Sequence, residues 1–269
     1  MNLAVRPQAL RGERARRVET ELLDLAALEA RPACWDRLAA EAAYPNPLHS
    51  RPVLAAHRAC GLLDARLRFL AASADGGLRA MLPFVRNGAW TGARRSHAVW
   101  LPPLFAVNGT PLVAARGLPE AIDGLLDGMA AAGALWRLPM LSIDGRIGRE
   151  LTAACARRGF PVEAVGSFER AVLHRRAGYE AYARDRLSPN RRKGLRRRLK
   201  RLEAQGRVAF ATFTEGEGLR QAVDAFLALE AAGWKGRRGT ALAARDPGAP
   251  LTRALFSSRA RACRAAPTS

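Results

Sequence analysis

Residues 188–206 read SPNRRKGLRRRLKRLEAQG, and this stretch carries the signals of a helix at both of its ends. Ser188 is a favoured N-cap residue, and Pro189 suits the first helical position because the amide there needs no acceptor. Gly206 predicts the end, since glycine readily adopts the left-handed conformation that follows a last helical turn. We therefore predict a single helix over residues 189–205.

The surface of this predicted helix is basic. Leu195, Leu199 and Leu202 follow one another at i, i+4 and i+7, which gives one narrow apolar stripe. Most of the remaining positions are cationic and only Glu203 opposes them. The cations are Arg191, Arg192, Lys193, Arg196, Arg197, Arg198, Lys200 and Arg201.

Three of the cations, at positions 191–193, lie in the first turn, where the helix dipole already presents positive charge. This placement destabilises an isolated helix by roughly 0.3–1 kcal/mol per charge. A bound anion offsets that cost, because free amides and guanidinium groups converge there on phosphate or carboxylate. Three interpretations stay open: a solvated basic face, a site for an anionic small molecule or carrier, and a nucleic-acid surface.

Composition places the chain among globular proteins. Its 269 residues are 49% apolar and 25% charged, which is enough to bury a core in one or two domains. The formal net charge of +20 implies attraction to polyanions. Arginine supplies most of the excess, as in proteins from GC-rich genomes, so the charge alone does not indicate RNA or DNA binding.

Cysteine usage and hydropathy bear on the compartment. The four cysteines are far apart and show neither zinc-ligand spacing nor a disulfide framework, which favours free thiols in a reducing compartment. No signal-peptide core follows the arginines of the N-terminus, and no run of about 18 apolar residues occurs. We predict a disordered basic arm over residues 1–17 and a cytoplasmic location.

The order of the predicted elements indicates the fold class. Alternation predicts a first strand at 18–25, and Asp75-Gly76-Gly77 predicts a hairpin between 67–72 and 78–84. Further strands are predicted at 134–138, 162–165, 171–173 and 207–213, and residues 85–118 are predicted to be irregular. Helices are predicted to begin near Pro32, Pro52, Pro119, Ile147, Tyr179 and Leu219. The fold class that follows is mixed α/β, with helices on both faces of a mixed sheet.

Residues 227–242, LALEAAGWKGRRGTAL, form the most specific motif: a helix that ends at Gly233, then Trp-Lys-Gly and an Arg/Gly turn. Together with residues 187–210, LSPNRRKGLRRRLKRLEAQGRVAF, this motif resembles the CelD-like acetyltransferases of the GNAT superfamily. Those bacterial proteins are linked to polysaccharide biosynthesis and are related to the Fem-type aminoacyl transferases.

The resemblance implies a GNAT-like unit over residues 18–176 and a second, acyltransferase unit over 177–269. It implies transfer of an acyl group, in the first place acetyl, from CoA to an amine, with acetyl-CoA bound at a splayed sheet edge of the second unit. It identifies no catalytic base. The substrate-binding residues it implies are Asn190, Arg191, Arg192 and Lys193, facing an anionic acceptor or carrier, and Trp234, Lys235 and Gly236, beside the cleft between the units.

The end of the chain departs from the family pattern. The resemblance calls for strands and a phosphate-binding loop after a helix near 251–262, whereas the sequence ends in ARACRAAPTS. We expect a second unit that is incomplete through truncation at the C-terminus. On that expectation the chain alone lacks the segment that binds CoA and is inactive.

A second class of function stays open beside acyl transfer. The sequence contains no GxSxG elbow, Walker loop, Rossmann fingerprint or HExxH motif, and its four histidines are isolated and interpreted as packing or surface residues. The alternative is a non-catalytic polyanion-binding, nucleic-acid-binding or interaction protein that uses helix 189–205. Trp90, Trp100 and Trp234 are not interleaved with the basic run, so no stacking platform supports nucleic acid.

Overall fold

A computed structural model describes residues 18–90, 94–104, 107–132, 135–169, 171, 173 and 176–257. The predicted arm at 1–17 lies outside the described residues. The chain divides into two compact units, one made of Met1–Val162 with Thr214–Ser269 and the other of Glu163–Phe213. The boundary that the resemblance placed between residues 176 and 177 stays a prediction.

The first unit is built on a sheet with six strands among its described residues. Their order is β1-β2-β3-β4-β6, and β5 pairs with β3. Neighbouring strands are antiparallel except β4 and β6, which are parallel. The strands are β1 (Glu19–Leu23), β2 (Leu67–Ala74), β3 (Gly77–Trp90), β4 (Arg94–Val99), β5 (Leu112–Val113) and β6 (Leu135–Arg137).

The hairpin that the sequence predicts at Asp75-Gly76-Gly77 is confirmed between β2 and β3, and its turn has two residues. Ala74 pairs with Gly77, and the turn residues Asp75 and Gly76 have φ angles of 54° and 72°. Two left-handed residues in succession are what a type I′ turn requires, and its twist matches that of the flanking strands. The Asp-Gly pair therefore fixes the register of the two central strands.

Helices cover both faces of the sheet, which confirms the predicted mixed α/β class. Successive β2 residues alternate between two buried clusters, with Leu70 and Ala72 in one and Phe69 and Ala71 in the other. The first cluster, on one face of the sheet, contains buried side chains of α4 (Leu118–Ala131) and α5 (Arg146–Arg157). The second includes α1 (Leu25–Glu29), α2 (Pro32–Glu41) and α3 (Arg51–Ala59).

Two expectations for the first unit are wrong. Residues 85–118 are not irregular throughout, because β3 continues to Trp90 and β4 and β5 follow. Pairing with neighbouring strands outweighs the weak local preference of this Asn- and Gly-containing segment. The strand predicted at 134–138 was expected to be buried. It exists as β6, but Leu135 is 53% exposed because β6 lies at the end of the strand order in the described sheet.

A buried polar network holds the Pro-Asn-Pro break after α2. Asn46 donates from Nδ2 to the carbonyl oxygen of Thr110 at 2.7 Å and accepts from the Leu48 amide at 3.2 Å. The Trp35 indole donates to the carbonyl oxygen of His49 at 3.0 Å, and the His49 side chain is fully buried. This network fastens the turn to the loop before β5.

Burial of His49 makes the stability of the first unit depend on pH. Desolvation lowers the pKa of its imidazole from 6.5 to about 4. Above pH 6.5 the imidazole is neutral in both folded and unfolded chains, whereas between pH 6.5 and 4 only the unfolded chain takes up the proton. We expect the free energy of unfolding to fall by at most roughly 3 kcal/mol across that window. Urea unfolding at a series of pH values, with NMR titration of the His49 ring, measures it, and a ring that titrates near 6.5 in the folded protein contradicts it.

The chain returns to the first unit after residue 213 and adds three helices. These are α8 (Gly216–Ala232), α9 (Trp234–Arg237) and α10 (Gly248–Ser257). Helix α10 packs against α8 and against α3. The buried side chains Val223, Leu227 and Leu251 belong to this assembly. The Trp-Lys-Gly motif therefore lies on a helical layer of the first unit.

The second unit contains α6 (Tyr179–Arg186) and α7 (Pro189–Glu203) among its described residues. The strands expected at 162–165 and 207–213 are absent, and so is strand structure at Ala171 and Leu173, while Val172 lies outside the described residues. A segment with alternating apolar residues forms a strand only where a partner strand pairs with its backbone amides and carbonyls. The described residues of the second unit contain no such partner strand. Phe210 is accordingly 91% exposed.

Candidate functional site

Helix α7 begins as its sequence predicts. Ser188 Oγ accepts a hydrogen bond from the Arg191 amide at 3.3 Å, and Pro189 occupies the first turn. The other end differs from the prediction, because Ala204 is the C-cap and Gly206 has a φ of 159°, far from the left-handed helical region. Hydrogen bonds from the amides of Ala204 and Gln205 close the last turn without a left-handed glycine.

The first turn of α7 brings together the four residues Asn190, Arg191, Arg192 and Lys193. Asn190, Arg191 and Lys193 are exposed, whereas Arg192 is half-buried and its Nε is buried without a hydrogen-bond partner among the described residues. Within that same part of the chain, the eight cations of α7 form no ion pair. The turn therefore presents uncompensated positive charge where the helix dipole adds to it.

The apolar stripe of α7 lies in solvent. Leu195, Leu199 and Leu202 are 40%, 38% and 55% exposed, and α7 buries none of its residues. The sequence identified the stripe correctly, but such a stripe normally faces a core. The helix is thus amphipathic and basic, and its apolar side is uncovered.

A second group of site residues surrounds Lys235 in the first unit. The ammonium of Lys235 lies 2.6 Å from a carboxylate oxygen of Glu230, and the other carboxylate oxygen accepts from the Leu242 amide at 2.7 Å. The hydrogen bond from Lys235 lowers the pKa of the Glu230 carboxyl, with a smaller contribution from the Leu242 amide. Glu230 therefore ties the end of α8 to both sides of the following turn. Sequence reasoning missed this role, because residues five positions apart do not face each other on a helix and the contact forms only through the turn after α8.

Trp234 is the exposed member of this group. Its side chain is 56% exposed, and the guanidinium carbon of Arg238 lies 5.4 Å from the centre of the indole ring. This distance allows a cation–π contact, which orients the indole and keeps one ring face in contact with positive charge. The resemblance had selected Trp234, whereas Arg238 was not predicted as a site residue.

Gly236 is fixed by close packing of the backbone. A β-carbon at this position would lie 1.7 Å from the carbonyl oxygen of Ala231, so no side chain fits there. The glycine allows α9 to fold directly against the end of α8. It shapes the turn that carries Trp234 and Lys235, and its part in substrate binding stays a prediction.

The seven predicted site residues fall into two groups in different compact units. Residues 190–193 share one turn in the second unit, and residues 234–236 share α9 in the first. The cleft expected between the units, with Trp234 and Lys235 beside it, stays a prediction. The chemistry that the groups offer is therefore local: an anion-attracting turn in one, and an oriented indole and ammonium in the other.

The histidines and cysteines of the described residues show no catalytic arrangement. His49, His57 and His97 are buried packing residues, in line with the sequence interpretation, and His174 lies outside the described residues. Cys34, Cys60 and Cys155 are free thiols, and burial raises the pKa of the Cys155 thiol. The described part of the chain holds no cluster of three or more potential metal ligands.

The lengths and hydropathy of the helices bear on whether the chain crosses a membrane. None of the helices in the described ranges combines the length and apolar character needed to cross a bilayer.

One protein-family model matches part of the chain. Residues 189–268 match the family model described as an acetyltransferase (GNAT) domain. The match begins at the first residue of α7 and includes both groups of candidate site residues. No curated protein gives a significant match.

Three solved acetyltransferases resemble the chain weakly. An aminoglycoside acetyltransferase from an uncultured soil metagenomic sample is 19% identical, with 58% of this chain and 99% of that chain covered and a TM-score of 0.37. A ribosomal-protein-alanine N-acetyltransferase from Brucella melitensis biovar Abortus 2308 is 20% identical, with 59% of this chain and 99% of that chain covered and a TM-score of 0.34. An aminoglycoside N-acetyltransferase in complex with CoA is 14% identical, with 61% of this chain and 98% of that chain covered and a TM-score of 0.31. These values are too low to transfer a fold or a substrate to this chain.

Proposed function

We propose that this protein is a GNAT-type N-acyltransferase that transfers an acyl group, in the first place acetyl, from CoA to an amine. The observation that carries the proposal is the match of residues 189–268 to the acetyltransferase (GNAT) domain. The matched residues include the uncompensated first turn of α7 and the Trp234–Lys235 turn. Both are polar sites at which a charged substrate gains binding energy.

The first turn of α7 fits the anionic part of such a substrate. Arg192 Nε is buried without a partner among the described residues, and Arg191 and Lys193 lie beside it on the surface. A phosphate or carboxylate satisfies the orphaned donor and relieves the repulsion among the cations. When bound, acetyl-CoA supplies an acyl group activated as a thioester. The described residues from 163 to 257 contain no strand, so they provide the charge for an anion but not a sheet edge for the rest of the cofactor.

In this proposal the Trp234–Lys235 turn orients the acceptor. The exposed indole offers an apolar surface, and the Glu230 carboxylate fixes the position of the Lys235 ammonium. Positioning of an amine against an activated acyl group supplies much of the acceleration in such transfers. The base that removes the proton of the amine is not assigned to any residue of this chain.

We further propose that the enzyme is CelD-like and acts in the cytoplasm in polysaccharide or cell-envelope biosynthesis, with an anionic small molecule or carrier as acceptor. The support is the pairing of the basic helix with the motif LALEAAGWKGRRGTAL at 227–242.

Reversing the charge of Arg192 tests the anion site. We expect Arg192→Glu to weaken binding of acetyl-CoA or of the anionic acceptor roughly tenfold to a hundredfold, since a charge-assisted hydrogen bond is replaced by repulsion. The helix should persist, because an acidic residue in the first turn interacts favourably with the dipole. Isothermal titration calorimetry measures the affinity and circular dichroism the fold.

Arg197→Glu is the matched control for this experiment. It changes the net charge of the same helix equally, but Arg197 lies beyond the first turn. Loss of affinity only in Arg192→Glu supports a defined anion site. Equal losses in both variants, or unchanged affinity in a folded Arg192→Glu protein, contradict it. Failure of the unaltered chain to bind CoA contradicts acyl-CoA use by this chain.

A further inference from the structure

Helix α7 separates apolar and cationic residues around its circumference. At about 100° per residue, Leu195, Leu199 and Leu202 fall within a sector of roughly 60°. Cationic residues border this sector on both sides and fill the opposite face. The bordering cations are Arg191 and Arg198 on one side and Arg192 and Arg196 on the other, and Glu203, the one acid of the helix, lies between the latter two.

We propose that α7 docks in the plane of an anionic lipid bilayer, with the leucine sector entering the headgroup region. The helix carries eight cations and one acid, and its cations have no ion-pair partner among the described residues. An anionic bilayer surface matches both faces of the helix, because its phosphates attract the cations and its acyl-chain boundary accepts the leucines. The long arginine and lysine side chains beside the sector reach back to the phosphates while their stems cover apolar surface.

A lipid surface accounts for more of α7 than a nucleic acid does. Phosphates of RNA or DNA pair with the cations but leave the three leucines in water. Two exposed phenylalanines follow the helix in the same unit: Phe210 and Phe213 are 91% and 49% exposed. Phenylalanine and leucine beside clustered arginine are the composition of interfacial helices.

The geometry is that of a peripheral contact. Helix α7 has 15 residues, more than half of them charged, and no helix in the described ranges is suited to crossing a bilayer. The contact uses the leucine sector, whereas the proposed acyl transfer depends on the orphaned Arg192 and on the Trp234–Lys235 turn. Arg192 also borders the sector, but the leucines take no part in the proposed acyl transfer. Variants at the leucines therefore test membrane docking separately from acyl transfer.

Vesicle sedimentation of the full chain tests the docking. We expect binding to vesicles of equal parts phosphatidylcholine and phosphatidylglycerol, and little binding to phosphatidylcholine alone. The double variant Leu199→Gln with Leu202→Gln should lower the partition coefficient about tenfold, because two apolar side chains no longer enter the interface. Its net charge is unchanged, so attraction to polyanions in general is preserved.

Leu229→Gln is the matched control, since Leu229 is 75% exposed on α8 and outside the sector. It should bind vesicles as the unaltered chain does. The proposal is overturned by an unaltered chain that does not bind the anionic vesicles, or by a double variant that binds them equally well. Duplex DNA is the competing ligand, for which the log–log slope of affinity against salt is about −0.9 per phosphate contacted. The proposal is also overturned if the unaltered chain and the double variant bind DNA equally tightly and the chain does not distinguish anionic from phosphatidylcholine vesicles.

Discussion

Replacement of Trp35 by alanine is expected to lower the free energy of unfolding by about 4 kcal/mol. The indole is fully buried between α2 and the sheet, where its ring centre lies 6.2 Å from that of Phe69. Its removal leaves a cavity in the cluster that includes α1, α2 and α3. The substitution also strands the buried carbonyl oxygen of His49, which loses the indole hydrogen bond.

Chemical denaturation measures this loss, and Trp234→Ala provides the comparison. The same atoms are removed at a position that is 56% exposed, so the free energy of unfolding should change by less than about 1 kcal/mol. Trp35→Phe should fall between the two, because the ring remains but the hydrogen bond is lost. Similar losses for Trp35→Ala and Trp234→Ala are the result that would contradict the assignment of Trp35 to the core.

A methyl group at Gly236 should disrupt the turn between α8 and α10. In Gly236→Ala the new carbon would lie 1.7 Å from the Ala231 oxygen and 2.6 Å from its carbonyl carbon. Both are backbone atoms, so relief requires α9 to move away from α8 and to break the Glu230 contacts with Lys235 and Leu242. We expect the free energy of unfolding of this segment to fall by about 3 kcal/mol.

Hydrogen exchange of peptides from residues 230–242 reports the change locally, and thermal unfolding reports it for the whole chain. Gly233→Ala is the control in the same turn, because its β-carbon would meet only ordinary contacts of 3.5 Å and its φ is −84°. Faster exchange in Gly236→Ala alone supports the close approach. Exchange rates that match in the two variants would sink it.

Sequence signals correctly predicted the elements whose structure is determined by residues close together in the chain. Ser188 and Pro189 mark the start of α7, and Asp75-Gly76 supplies the two left-handed residues of the hairpin turn. Proline after α2 marks the break at 44–47. In each case the deciding interactions join residues within a few positions of one another, so the sequence pattern is sufficient.

Elements that depend on distant partners were predicted less well. The pattern at 207–213 alternates as a strand should, but alternation does not supply the neighbouring strand whose amides and carbonyls it needs. Conversely, β4 contains arginine, serine and histidine and forms a strand because β3 and β6 pair with it on both sides. Whether these segments become strands is decided by the rest of the sheet.

The candidate site shows the same division. The basic turn of α7 could be predicted because its residues are consecutive, as could the Trp234–Gly236 motif. The carboxylate of Glu230 was not predicted, since its role depends on the chain folding back so that Lys235 and Leu242 reach the same group. The exposure of the leucine stripe was also unforeseen, because periodicity identifies an apolar face but not what covers it.

The contact between α3 and α10 has a consequence for the order in which this protein matures. Helix α3 is complete early in synthesis, whereas α10, which packs on it, is among the last described segments to leave the ribosome. Most of the chain, including the whole second unit, is made between them. The first unit can form its sheet during translation, but its helical layer closes only at the end. Until then the α3 surface awaits its partner, and a nascent chain stopped before residue 248 carries that surface bare.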